Sequence, residues 1–213
     1  MKKFIYYLGI FIVLVSTIIL NRVVFSQQND SKIKAFNNSI NQALKGNYQK
    51  AIDELINIYK DNSNDYLVNL RLGYLYYLQK NYDESINYYR KAINLTNQKA
   101  IEPLLGLTLP IAAKEKWSEL EKIYFEVLAL DQKNYTANLR LGQMYFNRKE
   151  YLKAETYLKQ VFDLYPSDYE TNLYLGWTYF YLNKKSEARK HFINALMVSE
   201  NDKSAMEGLK LVK

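Results

Sequence analysis

Leu70-Arg71-Leu72-Gly73-Tyr74-Leu75-Tyr76-Tyr77 sets apolar residues three and four apart, the spacing of an α-helix. Glycine inside such a run costs about 1 kcal/mol relative to alanine, a cost normally accepted where another backbone comes close. The pair Leu72-Gly73 recurs as Leu141-Gly142 and Leu175-Gly176, with the glycines 69 and then 34 residues apart. A second series, Tyr48, Tyr82, Trp117, Tyr151 and Lys185, steps by 34, 35, 34 and 34. A third, Ala51, Ser85, Leu120, Ala154 and Ala188, steps identically. Three ladders that agree on one inserted residue, between the second and third units, define a repeat array of period 34.

Each unit reads as a helical hairpin. Gln79-Lys80-Asn81-Tyr82 is a short polar turn, and Asp83-Glu84 opens the second helix, where acids suit the positive end of the helix dipole. That helix, Ser85 to Ile93, is again amphipathic. Small residues at Ala51, Ser85, Ala154 and Ala188 let the paired helix pack close. Pro166 follows a second helix and ends it without breaking it.

These residues resemble the tetratricopeptide repeat, with Leu-Gly in the first helix, an aromatic residue at the turn and a small residue in the second helix. The resemblance covers about residues 32–202. It implies an all-α, right-handed superhelical solenoid of five units, 32–65, 66–99, 100–134, 135–168 and 169–202. Residues 203–213 read as a capping helix with a polar outer face. Unit one has Asn38-Ser39 in place of Leu-Gly but keeps Gly46, Tyr48 and Ala51. Unit three departs most, with Leu107-Thr108 and prolines at 103 and 110. Pro110 lies inside the first helix, cannot donate to Gly106, and predicts a kink.

The array is preceded by Met1-Lys2-Lys3 and then Phe4 to Leu20, which carries no charge. Positive charges before an apolar run form a bacterial-type export signal, with the basic end kept inside. Two readings stand: a signal peptide over 1–26 cut after Val24-Phe25-Ser26, or a retained anchor over residues 4–20. Seventeen residues span roughly 26 Å as a helix, just short of a hydrocarbon core. Residues 27–31 read as a short linker. Either way the array lies outside the cytoplasm, and the apolar segment contacts membrane at least during export.

Composition narrows the function. The 213 residues include no cysteine and one histidine, so disulfides, thiolate metal sites and multi-histidine centres are excluded. Removing residues 1–26 leaves 26 basic against 22 acidic residues, +4, too mild for the basic stripe of a nucleic-acid binder. His191 takes the place of Tyr88 and Tyr157 in sister units and reads as packing. No catalytic, cofactor or metal residue is expected, and no phosphate loop, because the glycines share one helical repeat position.

Binding is what remains. In the family the first helices line a concave groove, and the resemblance carries that role here to Leu70, Tyr74, Tyr77, Leu139, Gln143, Phe146, Leu173, Trp177, Phe180 and Tyr181. Arg71 and Arg140 share one repeat position and suit either acids of a partner or acids of the array. Rigid aromatic residues in a concavity are typical binding anchors. The expected function is a non-enzymatic scaffold or adaptor of the bacterial envelope that holds a peptide or partner helix. Alternatives are a glycan or cell-wall binder and a self-assembling array, and the partner's identity stays open.

Overall fold

The computed structural model describes residues 29–213. The apolar segment 4–20 and the cleavage position at Ser26 lie outside them. The described residues form eleven helices and no strand, none of them long and apolar enough to cross a membrane. The chain divides into two compact units, to Gln98 and from Lys99. The first holds α1 (residues 29–44), α2 (Tyr48–Asn62), α3 (Tyr66–Leu78) and α4 (Tyr82–Leu95). The second holds α5 (Ile101–Ala113), α6 (Trp117–Leu130), α7 (Tyr135–Asn147), α8 (Tyr151–Leu164), α9 (Tyr169–Tyr181), α10 (Lys185–Val198) and α11 (Lys203–Leu211). Residues 29–31, expected as linker, already belong to α1, since Asn29-Asp30-Ser31 contains no helix breaker.

The repeat is written into the backbone. Every first helix ends in the same double hydrogen bond. In α3, Lys80 N–H donates to Tyr77 C=O at 2.9 Å and Asn81 N–H to Tyr76 C=O at 2.9 Å. This closure needs one residue at positive φ. Gly46, Lys80, Glu115, Lys149 and Asn183 supply it at φ between 50 and 75°, so only the first turn uses glycine. The following helix then begins on the aromatic ladder, at Tyr48, Tyr82, Trp117 and Tyr151, with Lys185 closing the series.

First helices are also capped by a common device. Asp65, Asn134, Asp168 and Asp202 each accept the N–H three residues on, from Val68, Ala137, Thr171 and Ala205. Such a cap contributes about 1 kcal/mol. Three of these carboxylates take a second bond from the start of the preceding first helix. Lys32 Nζ donates to Asp65 at 2.8 Å, Tyr135 Oη to Asp168 at 2.8 Å and Tyr169 Oη to Asp202 at 2.6 Å. Asn69, Asn138 and Asn172, each buried, donate Nδ2 back to two carbonyls of the incoming turn.

The exception is α5. Its N-cap is Ala100, which has no side-chain acceptor, and Leu104 stands where sister helices carry the buried asparagine. Before it, Asn97 and Gln98 both take positive φ, which is where the one extra residue of the repeat is absorbed. Pro110 lies buried within α5 and leaves the Gly106 carbonyl without its usual donor, yet the helix runs on to Ala113.

The interior follows from the small-residue ladders. Ala51, Ile52 and Leu55 of α2 pack with Val68, Leu72 and Leu75 of α3, all buried, with Phe36, Tyr59, Tyr76 and Tyr88 against them. The sequence suggested that the helical glycines admit a backbone, and only Gly142 has one near, with Leu158 N 3.4 Å from where its Cβ would stand. They admit a side chain of the partner helix. A Cβ on Gly73 would stand 2.9 Å from the Tyr89 ring, one on Gly142 2.6 Å from Leu158, and one on Gly176 2.6 Å from Phe192. Gly208 of α11 meets the other end of the same Phe192 ring. Ser85 adds a hydrogen bond of 2.7 Å to the Gly73 carbonyl. In α5 the glycine position is Thr108, whose hydroxyl bonds back to Leu105 C=O at 2.6 Å.

Gly176→Ala tests this contact. Alanine gains about 1 kcal/mol of helix propensity but crowds a fully buried ring at a cost of about 1–3 kcal/mol. We expect a net loss of about 1 kcal/mol in denaturant unfolding. Combined with Phe192→Leu the loss should fall short of the sum of the single changes. A more stable Gly176→Ala protein would refute the steric account.

Candidate partner-binding surface

Helices α7 and α9 turn Leu141, Gly142, Tyr145 and Leu175, Gly176, Tyr179 inward. Phe146 and then Leu173, Trp177, Phe180 and Tyr181 are left on the opposite, partly open side. Together with α11 they enclose a cleft of about 320 Å³ lined by Phe146, Leu173, Tyr174, Trp177, Tyr181 and Ser204. Its walls are rings locked against one another. Phe146 stands edge-on to Tyr174 at 5.3 Å, Tyr151 stacks on Tyr181 at 4.7 Å, and Trp177 meets Phe192 edge-on at 5.1 Å. Trp177 Nε1 donates to Ser204 Oγ at 2.8 Å, so α11 fixes the indole as well as closing the cleft. Tyr181 is the open wall, 51% exposed.

A second cleft of about 290 Å³ lies within the same unit, between Trp117, Met144, Asn147 and Arg148. Arg148 is held there by Glu121 at 2.7 Å, and Glu121 also accepts Tyr145 Oη at 2.5 Å. Glu155, one period on, binds Lys184 Nζ in the same way at 2.9 Å. Among the described residues no group of three His, Asp or Glu side chains is placed to hold a metal ion.

The expected groove residues divide. In the first unit Tyr74 is exposed and stacks on Tyr77 at 6.5 Å, and Tyr77 meets Tyr82 at 6.1 Å. Leu70 and Arg71 are half-buried beside them. Arg71 Nε is buried without a hydrogen-bond partner, and burial holds its pKa below the ordinary guanidinium value. In the second unit Leu139 is only 2% exposed and acts in packing, not in an accessible wall. Arg140 turns to the array itself, with Nη1 2.7 Å from Gln143 Oε1 and 3.4 Å from Glu170 Oε2. Gln143 donates to the same Glu170 at 3.3 Å. Phe180 braces the cleft from behind, edge-on to Trp177 at 5.6 Å and to Tyr181 at 5.3 Å.

Sequence reasoning passed over Tyr174, Ser204, Tyr151, Trp117 and Met144. Tyr151 and Trp117 stood in the aromatic ladder, so a signal existed. Tyr174 occupies the repeat position of Arg71 and Arg140, where the sister residues gave no reason to expect a ring. Ser204 comes from the capping helix, outside the repeat pattern.

The geometry is that of a helical-hairpin repeat array. Residues 67–99 and 135–168 each match a family model described as Tetratricopeptide repeat. The chain thus carries tetratricopeptide repeats, and solved structures of such proteins share its fold. The MamA protein matches with a TM-score of 0.68 at 20% identity, covering 81% of this chain and 93% of that one. A tetratricopeptide repeat protein from Parabacteroides merdae matches with a TM-score of 0.73 at 16% identity, covering 86% and 72%. YrrB, described as "a TPR protein with an unusual peptide-binding site", matches with a TM-score of 0.67 at 15% identity, covering 86% and 95%. No curated protein matches the sequence. At these identities the likeness establishes the fold.

His191 has a structural place. It stacks on Tyr179 at 5.3 Å, as Tyr88 stacks on Tyr76 at 5.3 Å and Tyr157 on Tyr145 at 5.5 Å. Its Nδ1 lies 2.9 Å from Asn172 Oδ1. Asn172 spends its Nδ2 on two carbonyls, so its oxygen is an acceptor and the histidine proton sits on Nδ1. Burial, with Lys190 nearby and outweighing Glu187, pushes the imidazole pKa down to about 4. The unfolded chain binds a proton at about pH 6.5 and the folded chain does not, so this stability is complete above about 6.5 and is lost as pH falls toward 4. Burial raises the carboxyls of Asp65 and Glu121, but Lys32 and Val68 N–H, and Tyr145 and Arg148, outweigh it and hold both below their ordinary values. Melting temperature should therefore drop between pH 7 and pH 5 in the native chain. His191→Tyr, which restores the sister residue, should flatten that slope; an unchanged slope would remove His191 as its source.

Proposed function

We propose that this chain is a protein-interaction scaffold of the bacterial cell envelope whose second unit grips a peptide or partner helix in the cleft between α7, α9 and α11. The observation that carries the reading is the cleft itself, uncharged, preformed and walled by Phe146, Tyr174, Trp177 and Tyr181. Its 320 Å³ falls at the small end of ligand pockets, about 300–1,000 Å³, and suits one or two large side chains of a partner. Rings already fixed by neighbouring rings lose little entropy when a partner arrives. The peptide-binding description of YrrB belongs to a protein of the same fold and is consistent with this reading.

Selection of a displayed random-peptide library on the full chain tests the cleft. Peptides with recurring aromatic or large aliphatic residues should emerge, and Tyr181→Ala should weaken them by roughly 30-fold, the scale of a binding hot spot. Tyr181 is half-exposed, so helicity should hold, with a melting temperature lowered only by the loss of its ring contacts. Enriched peptides that bind Tyr181→Ala equally well would move the site elsewhere. Retention on immobilised glycans with no peptide enriched would favour the glycan reading.

The envelope location rests on Lys2 and Lys3 before the uncharged run from Phe4 to Leu20. In this reading residues 1–26 are a signal peptide or anchor, followed by five units over 32–202 and a cap over 203–213. A C-terminally tagged chain expressed in a bacterium should appear as a soluble periplasmic product starting at Gln27, or intact in the membrane fraction. Intact chain in the cytoplasm would refute export.

A further inference from the structure

The charge of this protein is concentrated at its ends. Residues 29–183 carry nineteen Lys and Arg against eighteen Asp and Glu, a net of +1. Residues 184–213 carry seven against four, a net of +3 in thirty residues. Most of that positive charge is uncommitted. Lys184 pairs with Glu155 at 2.9 Å, but Lys185, Arg189, Lys190, Lys203, Lys210 and Lys213 are all exposed. One of the four acids, Asp202, is occupied as the cap of α11 and as acceptor of Tyr169.

The same segment exposes large apolar side chains. Met197 is 80% exposed and Val198 56% exposed, with Ile193 beside them on α10 and Leu211 and Met206 exposed on α11. The outer face of the cap is mixed, with Met206 and Leu211 set among exposed Lys203, Glu207 and Lys210. The fold does not require Ile193 and Met197: α8 carries Lys159 and Asp163, both exposed, at their repeat positions, whereas Val198 follows the exposed Leu130 and Leu164 at one repeat position. Along α10, Lys185, Arg189, Ile193 and Met197 follow one another at four-residue steps, a slowly winding stripe that begins basic and ends apolar.

We infer that the outer face of α10 and α11 rests on an anionic lipid surface. Exposed aliphatic and thioether groups flanked by Lys and Arg are the pattern by which a helix lies in a bilayer interface, with its apolar edge among acyl chains and its cations among headgroups. The charge complementarity selects anionic lipid. The apolar residues select a membrane over a nucleic acid, since phosphate contacts gain nothing from an open methionine. This inference does not depend on peptide binding in the cleft, which is built from other residues.

The absence of native cysteine makes a unique label available. The full chain carrying Met197→Cys, labelled with an environment-sensitive dye, should shift to bluer emission with vesicles of phosphatidylglycerol and phosphatidylcholine. A quencher carried by the lipid tails should reach it. Vesicles of phosphatidylcholine alone should produce no shift, and a dye at Asp163→Cys should stay in water with both. Because the readout is local, insertion of the apolar N-terminal segment does not imitate it. Lys185→Glu, Arg189→Glu and Lys190→Glu together should weaken the response by at least about 100-fold, with helicity retained. A dye at residue 197 that stays aqueous with anionic vesicles would overturn the inference. So would a shift without lipid that grows with protein concentration, which would assign the face to a second copy of the chain.

Discussion

Three hairpins of this protein, α3–α4, α7–α8 and α9–α10, depend on the distance between their two helices, and one contact sets that distance. A glycine of the first helix receives a large side chain from the second: Gly73 takes Tyr89, Gly142 takes Leu158 and Gly176 takes Phe192. The missing Cβ lets a ring or branched side chain lie flat against helix backbone, so dispersion contact and burial offset the propensity lost by glycine. Close approach also brings Ser85 within reach of the Gly73 carbonyl. The stacked pairs Tyr76–Tyr88, Tyr145–Tyr157 and Tyr179–His191 are a further face of the same register. His191 belongs to this packing, and its neutral imidazole is a consequence of occupying an aromatic place.

Joining one hairpin to the next is a separate task, given to the N-cap carboxylates. Asp168 and Asp202 each satisfy the start of their own helix and hold a tyrosine hydroxyl from the preceding first helix. A charged acceptor that serves two donors is stronger than two neutral bonds and ties local helix initiation to tertiary order. α5 lacks this device, because Ala100 has no side-chain oxygen to offer and Leu104 replaces the asparagine that anchors the turn. The chain's division into two compact units falls beside these residues, at Gln98 and Lys99.

What is left over after packing is where function is sought. The hairpin register consumes one side of α7 and α9 and leaves rings on the other, where Ser204 of α11 locks Trp177 and encloses the cleft. Beyond it, α10 and α11 carry methionine, valine and leucine into solvent among lysines. The two features lie in one unit and make different chemical offers, an uncharged aromatic cleft and a basic-apolar face.

Sequence alone determined the period, the helix starts and the inserted residue, because each depends on local rules that repeat every 34 residues. Tyr48, Tyr82, Trp117 and Tyr151 mark helix starts in the structure as in the ladder. Sequence also identified Trp177 and Tyr181 as residues of interest through the family resemblance. Tertiary structure decided what each glycine admits, since a sequence shows the missing Cβ but not the group that fills its place. It decided that Leu139 is buried and that Arg140 faces Glu170. It placed Tyr174 and Ser204 in the cleft wall. Those outcomes depend on which neighbouring helix stands opposite a side chain, a long-range property that the spacing within one helix does not contain.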